Sequence, residues 1–345
     1  MDRLAHIDAL RGAAAVLLLF QSLLVPLLGT GWLLQHVVDP GLLGCMWFLL
    51  GCGFIVPASL HASADGGGGF AIRRLLRLAP GYLVAVLLTA IVLPSTPAWL
   101  PGVTRPSSEL AFEVIGAYGV LLPILLFYAL CLMLHALGLL HSVSLRAGCA
   151  LVLLAIALLL ALAHQVLDRA LPVTLPLALS LMFFSSIRYE AQHESSSYAR
   201  RRAREYSRYT LRVYLLVLPV IFMAGWSAAV TAWPRDLLSY ALAIASFLLL
   251  TGRLALRLPL LVWLGSLSYS LYLLLPAMQR LGALLIQTLD LAGPGADALG
   301  AASALLLAFA SALLCRHLLD LPLHRAGRRL TGQHEPMPRV RLHSR

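Results

Sequence analysis

Long apolar windows separated by short polar breaks dominate the chain. An α-helix needs about 20 predominantly apolar residues to cross the hydrocarbon core of a bilayer. Windows of that kind recur near 7–30, 41–60, 79–96, 114–140, 147–164, 170–187, 211–232, 236–251, 258–279 and 297–319. The pattern predicts an all-α polytopic membrane protein with about ten transmembrane helices, and spans with short loops use up nearly the whole length. The first window has a charged flank followed by an apolar run, as a secretory signal has. It lacks a small-residue cleavage site leading into a soluble domain, so it is read as the first span.

Composition sharpens this reading. Of 345 residues, 60% are hydrophobic and only 12% charged, with a mean hydropathy of +0.86. A soluble globular protein carries about a quarter charged residues, so a water-facing surface is excluded and the bilayer must be the solvent. Five cysteines (Cys45, Cys52, Cys131, Cys149 and Cys315) lie in or beside apolar runs without metal-ligand spacing. They read as small buried hydrophobes, and no metal is expected.

The net charge of +11 comes entirely from arginine, with no lysine in the chain. With the N-terminus in the cytoplasm and the spans alternating, only Arg105, Arg169, Arg235 and Arg280 of the 26 arginines fall outside. That asymmetry follows the positive-inside rule. It predicts both termini in the cytoplasm, in the inner or plasma membrane of the cell, and argues against a nucleic-acid partner. Three linkers stand out: a glycine run, Gly66 to Gly69, expected to be a hinge; a polar basic loop at 188–209; and a basic tail at 323–345 following a membrane domain at 1–322. Attraction to anionic lipid headgroups accounts for the last two without a further function.

Four places carry more than topology. Asp8 and Arg11, followed by Gly12, sit at the mouth of the first span, where an interfacial anchor is the plain reading. The stretch from Phe48 to Ile55 holds Gly51 and Gly53, which let helix backbones approach closely. Arg73, Arg74 and Arg77 open the third span, with Arg73 and Arg77 on one helical face. Leu264 to Leu273 includes Ser268, Tyr269, Ser270, Leu271, Tyr272 and Leu273, and the tenth span closes on Arg316 to Leu323. Tyr269 and Tyr272 share a face suited to lining a pocket or to ordinary interhelical packing.

Taken in this order, these segments resemble the acyltransferase-3 family of integral membrane acyltransferases. The resemblance rests on Ile7-Asp8-Ala9-Leu10-Arg11-Gly12, on Arg73-Arg74 with Arg77, on Ser268 to Leu273 and on Asp320 with Pro322. It implies transfer of an acyl group, often acetyl, from a cytoplasmic acyl-CoA donor to a glycan or lipid hydroxyl. Arg11 then matches the family's first-span arginine, and Arg73, Arg74 and Arg77 match its donor-side arginines. Guanidinium groups suit such a donor because they bind phosphate oxygens bidentately.

The chain departs from the family at its proton-transfer residues. Where relatives carry a His eleven residues after the arginine, this chain has Ser22, preceded by Gln21. Ile124 stands at the family's fourth-span Glu, and Leu274, Leu275 and Pro276 stand where a His usually follows the tyrosine motif. Gln21 and Ser22 can hydrogen-bond but are not bases at neutral pH, and a general base contributes about 10²–10⁴ in rate. Among other histidines, His135 is intramembrane, His36 and His164 are expected near the outer face, and His61, His141, His193, His317, His324, His334 and His343 near the inner one. No Gly-x-Ser-x-Gly elbow, P-loop, His-Glu-x-x-His or Cys-x-x-Cys motif occurs.

Two expectations follow. One is an acyltransferase in which Arg11, Gln21 and Ser22 serve the chemistry, Arg73, Arg74 and Arg77 hold the donor, and Asp8, Tyr269 and Tyr272 shape the acceptor site. The other is an inactive relative that binds or passes a glycan, a lipid or the donor, or serves as a partner subunit of an active enzyme. A transporter lacks support, because paired interrupted helices in two related halves are missing.

Overall fold

The computed structural model describes residues 5–28, 37–61, 66–92, 120–167, 171–225, 233–252, 258–290, 293–320 and 322–323. These residues form ten helices and no strand. Helix α1 runs Ala5–Leu19, passes through a π-helical turn at Phe20–Leu24 and ends as Val25–Leu28. It is followed by α2 (Pro40–His61), α3 (Gly66–Val92), α4 (Leu121–Ala136), α5 (Val143–Leu167) and α6 (Thr174–His193). The remainder are α7 (Ser197–Gly225), α8 (Trp233–Gly252), α9 (Pro259–Thr288) and α10 (Pro294–Cys315), the last closing in a second π turn at Arg316–Asp320. Both α9 and α10 begin on a proline, which costs nothing there because the first-turn N–H has no intrahelical partner.

Seven of the ten are long and apolar enough to cross a membrane; α3, α4 and α6 are the others. For α6 the reason is its place in the bundle. It is buried without a break from Pro176 to Ile187 and packs against α2, α4, α5 and α7. A helix that meets protein on all sides need not be lipid-soluble, so serines are tolerated wherever a carbonyl accepts their hydroxyl. Ser180 donates to the Ala150 carbonyl (2.6 Å), Ser185 to Met182 (2.9 Å) and Ser186 to Phe183 (2.6 Å).

Contacts at the helix ends show that successive helices alternate in direction. At the end where α1 begins, Gly265 of α9 lies on the Asp8 backbone, Gly67 faces His135, Gly252 faces Arg188, and Arg316 donates to the Ser266 hydroxyl at 2.7 Å. At the opposite end Ser239 accepts a hydrogen bond from the Asp39 N–H (2.8 Å), and Gly282 meets Gly300. The two ends are called the arginine-rich end and the distal end below. Small residues set the closest crossings. A Cβ at Gly12 would overlap the Leu261 carbonyl, and one at Gly265 would overlap that of Asp8, so α1 and α9 touch backbone to backbone. Gly53 does the same for α2 against Met182 and Ser185 of α6.

Two expected linkers are helical instead. Gly66 to Gly69 is the first turn of α3, and its glycines are held there by continuation into the apolar segment from Phe70 onward. Within 188–209 only a short break separates α6, which runs to His193, from α7, which starts at Ser197. That break is organised by Glu194. Its carboxylate accepts the Ser195 and Ser196 N–H groups at 3.0 and 3.3 Å, and these bonds, that from Ser196 foremost, hold it below the usual carboxylate range. Arg146, expected in a connecting loop, lies inside α5, fully buried and ion-paired with Glu190 of α6. The basic tail at 324–345 lies outside the described residues.

Candidate functional site

Near the arginine-rich end, the first four helices and the ninth enclose one small cavity. Its walls are Arg11 from α1; Phe48, Cys52, Ile55 and Val56 from α2; Arg74, Arg77 and Leu78 from α3; Ile124 and Tyr128 from α4; and Tyr269 from α9. The volume is about 30 Å³, room for a water or two.

Arg11 is delivered by the α1–α9 glycine crossing, immediately before Gly12 and one turn after Asp8, on whose backbone Gly265 lies. The residue is 8% exposed. One guanidinium nitrogen lies 3.8 Å from an Asp8 carboxylate oxygen, and the group sits 5.2 Å from the centre of the Phe48 ring. Its Nε has no hydrogen-bond acceptor among the described residues. Phe48 in turn stacks on Tyr272, their ring centres 6.2 Å apart. Tyr272 therefore supports the cavity wall from behind without lining it.

Arg74 reaches across from α3. It donates to the Ser59 hydroxyl at 3.2 Å and lies 5.4 Å and 5.5 Å from the rings of Phe70 and Tyr128. Such cation–π contacts orient a guanidinium but leave its charge uncompensated. Arg77 follows one turn later on the same wall. Tyr269 ties α9 to α3 by donating to the Leu78 carbonyl at 2.7 Å, its ring against Gly81. Ile124, at the position where the resembled family carries a carboxylate, faces the same space.

Three cations thus line the cavity, and among the described acids Asp8 alone pairs with one of them. Two further groups on the walls, the Cys52 thiol and the Tyr128 hydroxyl, are neutral near pH 7 at ordinary pKa values. Like charges held together in a low-dielectric setting repel strongly. Such an arrangement is chemically suited to an anion, and guanidinium forks match a phosphate best.

The structure divides the sequence-derived candidates into three groups. Arg11, Arg74, Arg77 and Tyr269 meet at the cavity, with Asp8 and Tyr272 in contact with its wall. Arg73 is half-buried on α3 and does not line it; the two arginines that do are three residues apart rather than four. Gln21 and Ser22 lie ten and eleven residues beyond Arg11 along α1, about 16 Å further toward the distal end. There the π-helical turn leaves the Ser22 carbonyl available to Gln279 of α9, whose side-chain N–H₂ donates to it at 2.7 Å. Gln21 packs its side chain on Gly41.

No histidine lines the cavity among the described residues. His135 faces Gly67 at the arginine-rich end, and His193 stacks on Tyr189 with its Nδ1 3.1 Å from the Tyr189 carbonyl. His164 is buried in the last turn of α5. His36, His324, His334 and His343 lie outside the described residues. Among those described, no group of three His, Cys, Asp or Glu is placed to hold a metal ion.

Sequence reasoning missed Phe48, Cys52, Ile55 and Tyr128 as wall residues. The signal for the first three was present, because positions 48, 52 and 55 recur at one helical face in a segment already marked by its glycines. Comparison with protein-family models, with curated proteins and with solved structures finds no match for this chain.

Proposed function

We propose that this protein is an integral membrane acyltransferase that draws an acyl group from a phosphate-bearing acyl-CoA and delivers it to a hydroxyl of a glycan or lipid. The observation that carries the reading is the gathering of Arg11, Arg74 and Arg77 around one cavity, where Asp8 is the one carboxylate paired with them among the described residues. The resemblance of Asp8-x-x-Arg11-Gly12, the Arg73 to Arg77 run and the Ser268 to Leu273 segment supplies the identity of the anion. In this reading the spans number ten, both termini and the arginine-rich end face the cytoplasm where acyl-CoA is made, and Arg73 meets the donor at the mouth rather than inside. The acceptor approaches from the distal side, where Gln21 and Ser22 lie.

Ile124 in the wall and the missing histidine favour a second reading, in which the donor or acceptor is bound but not turned over. One experiment addresses both. Purified protein in nanodiscs is titrated with acetyl-CoA by calorimetry and then assayed for thioester loss. Micromolar binding that weakens at least tenfold in Arg74→Gln/Arg77→Gln, together with turnover, is the expected result. Binding without turnover selects the second reading. Affinity untouched by the double substitution in a correctly folded variant overturns both.

A further inference from the structure

A second basic surface lies on α7, away from the cavity. Six arginines lie between Arg200 and Arg212 on this helix, and they divide by what they touch. Arg200 donates to the Glu194 and Ser195 carbonyls at 2.8 and 3.2 Å, and Arg204 donates to the Ala191 carbonyl at 3.1 Å. These two close the C-terminal end of α6, where cations are favoured by its unpaired carbonyls. Arg201 and Arg202 turn the other way, joined lower down by Arg208 and Arg212, all four exposed. Arg201 is paired only with the exposed Glu205, at 3.4 Å, and Arg202 lies 5.7 Å from the Tyr206 ring.

This outward face forms a groove of about 520 Å³ lined by Tyr198, Arg201, Arg202, Glu205, Tyr206 and Tyr209. Its direction is fixed by the rest of the helix. The stripe that packs on the bundle runs through Ala203, Ser207, Thr210, Tyr214, Leu218 and Ile221. On the opposite side, in line with Tyr198 and Tyr209, α7 continues as Leu216, Val220 and Met223, exposed by 75%, 46% and 58%. Those side chains are where a bilayer's acyl chains must lie, since α7 is among the helices able to span it. Tyr209 is about 10 Å from Leu216 along the axis, which puts Tyr209, Arg208 and Arg212 at headgroup depth. The 29-residue helix is about 43 Å long, so its first turns extend past the hydrocarbon core.

We infer that this face of α7 binds the phosphate groups of anionic phospholipids in the adjoining leaflet. Arg208 and Arg212 meet the phosphates at headgroup depth, and Arg201 and Arg202, about 10 Å further out along the axis, extend the positive field above them against one carboxylate, Glu205; guanidinium forks fit phosphate oxygens. Tyrosines flanking the arginines are the side chains that settle at a membrane–water interface, apolar body inward and hydroxyl outward. Continuity with the lipid-facing stripe places lipid, rather than another protein, beside the groove. The inference does not depend on the acyl-donor reading, because it uses a different helix and a different surface.

The test uses the full chain in a neutral detergent, with dioleoylphosphatidylglycerol and dioleoylphosphatidylcholine as probes and native mass spectrometry as readout. Phosphatidylglycerol is expected to bind at least tenfold more tightly than phosphatidylcholine. Arg201→Gln/Arg202→Gln/Arg208→Gln/Arg212→Gln is expected to lose that preference, whereas Arg280→Gln, an exposed arginine near the distal end, keeps it. The four side chains are exposed, so the variant should elute and melt like the parent; Tyr198→Ala/Tyr209→Ala, expected to weaken binding severalfold, provides a second variant of unchanged charge. Equal binding of the two lipids overturns the inference, as does a preference that survives the quadruple substitution. So does stronger binding of soluble glycerol phosphate or of a polyglutamate peptide than of the lipid, the latter pointing to an acidic protein partner.

Discussion

Two sets of arginines lie at the same end of this bundle, one enclosed and one running from buried Arg11 through half-buried Arg74 to exposed Arg77, and they are treated differently. Arg146 of α5 is fully enclosed, and its charge is met directly by Glu190 of α6. Arg11, Arg74 and Arg77 share a cavity in which Asp8, 3.8 Å from Arg11, is the paired acid. A charge with its partner in place is an internal fastening between two helices. Charges gathered with too few partners lower in energy when an anion arrives from outside. The difference in pairing, rather than the presence of arginine, separates a structural site from a candidate binding site.

The comparison can be broken most directly at its paired half. Glu190→Ala leaves Arg146 enclosed without a counter-charge and should cost about 3–5 kcal/mol, read by chemical unfolding in micelles. Arg146→Met/Glu190→Leu removes both charges and should recover most of that loss; a single variant as stable as the parent would show that the pair is not what holds α5 to α6. At the cavity, the converse holds. Arg77→Gln should leave the unfolding midpoint nearly unchanged, because it relieves repulsion, while weakening acetyl-CoA binding by about 10–100-fold, the worth of a charge-assisted hydrogen bond.

Ile124→Glu sharpens the contrast further. A carboxylate in an ordinary apolar wall costs several kcal/mol. Beside Arg11, Arg74 and Arg77 it should cost under about 1 kcal/mol and compete with the donor, lowering its affinity roughly tenfold. Severe destabilisation would mean that the arginines do not act on that wall. Tyr269→Phe removes the hydroxyl given to Leu78 and should cost about 1 kcal/mol of stability with a smaller change in affinity. The smallest effect is expected at Ser22→Ala, within about 0.5 kcal/mol and with donor affinity unchanged, since Gln279 bonds the Ser22 backbone carbonyl and that residue is remote from the cavity.

The helical class was legible in the sequence, and so were the seven helices long and apolar enough to cross a membrane, because apolar length is a local property that the bilayer reads directly. Arg11, Arg74, Arg77 and Tyr269 were also legible as candidates, through charge in apolar surroundings and a recurring aromatic segment. Their grouping was not. Which of Arg73 and Arg74 turns inward depends on the rotation of α3 against α9, fixed by Tyr269 on Gly81 and on the Leu78 carbonyl. The glycine run and residues 188–209 were misjudged as flexible or looped, since composition favours a hinge or a solvated connection while the adjoining helices propagate through them.

The amino-acid sequence alone determined that this chain lives in a membrane, as helices, with arginine concentrated at one end, because hydrophobic length and charge act residue by residue. Only the tertiary structure decided which arginine is answered by a carboxylate and which ones share a cavity. That outcome depends on contacts between α1, α2, α3, α4 and α9, and on Glu190 meeting Arg146 across α5 and α6, and no spacing along the chain encodes a distance between two helices.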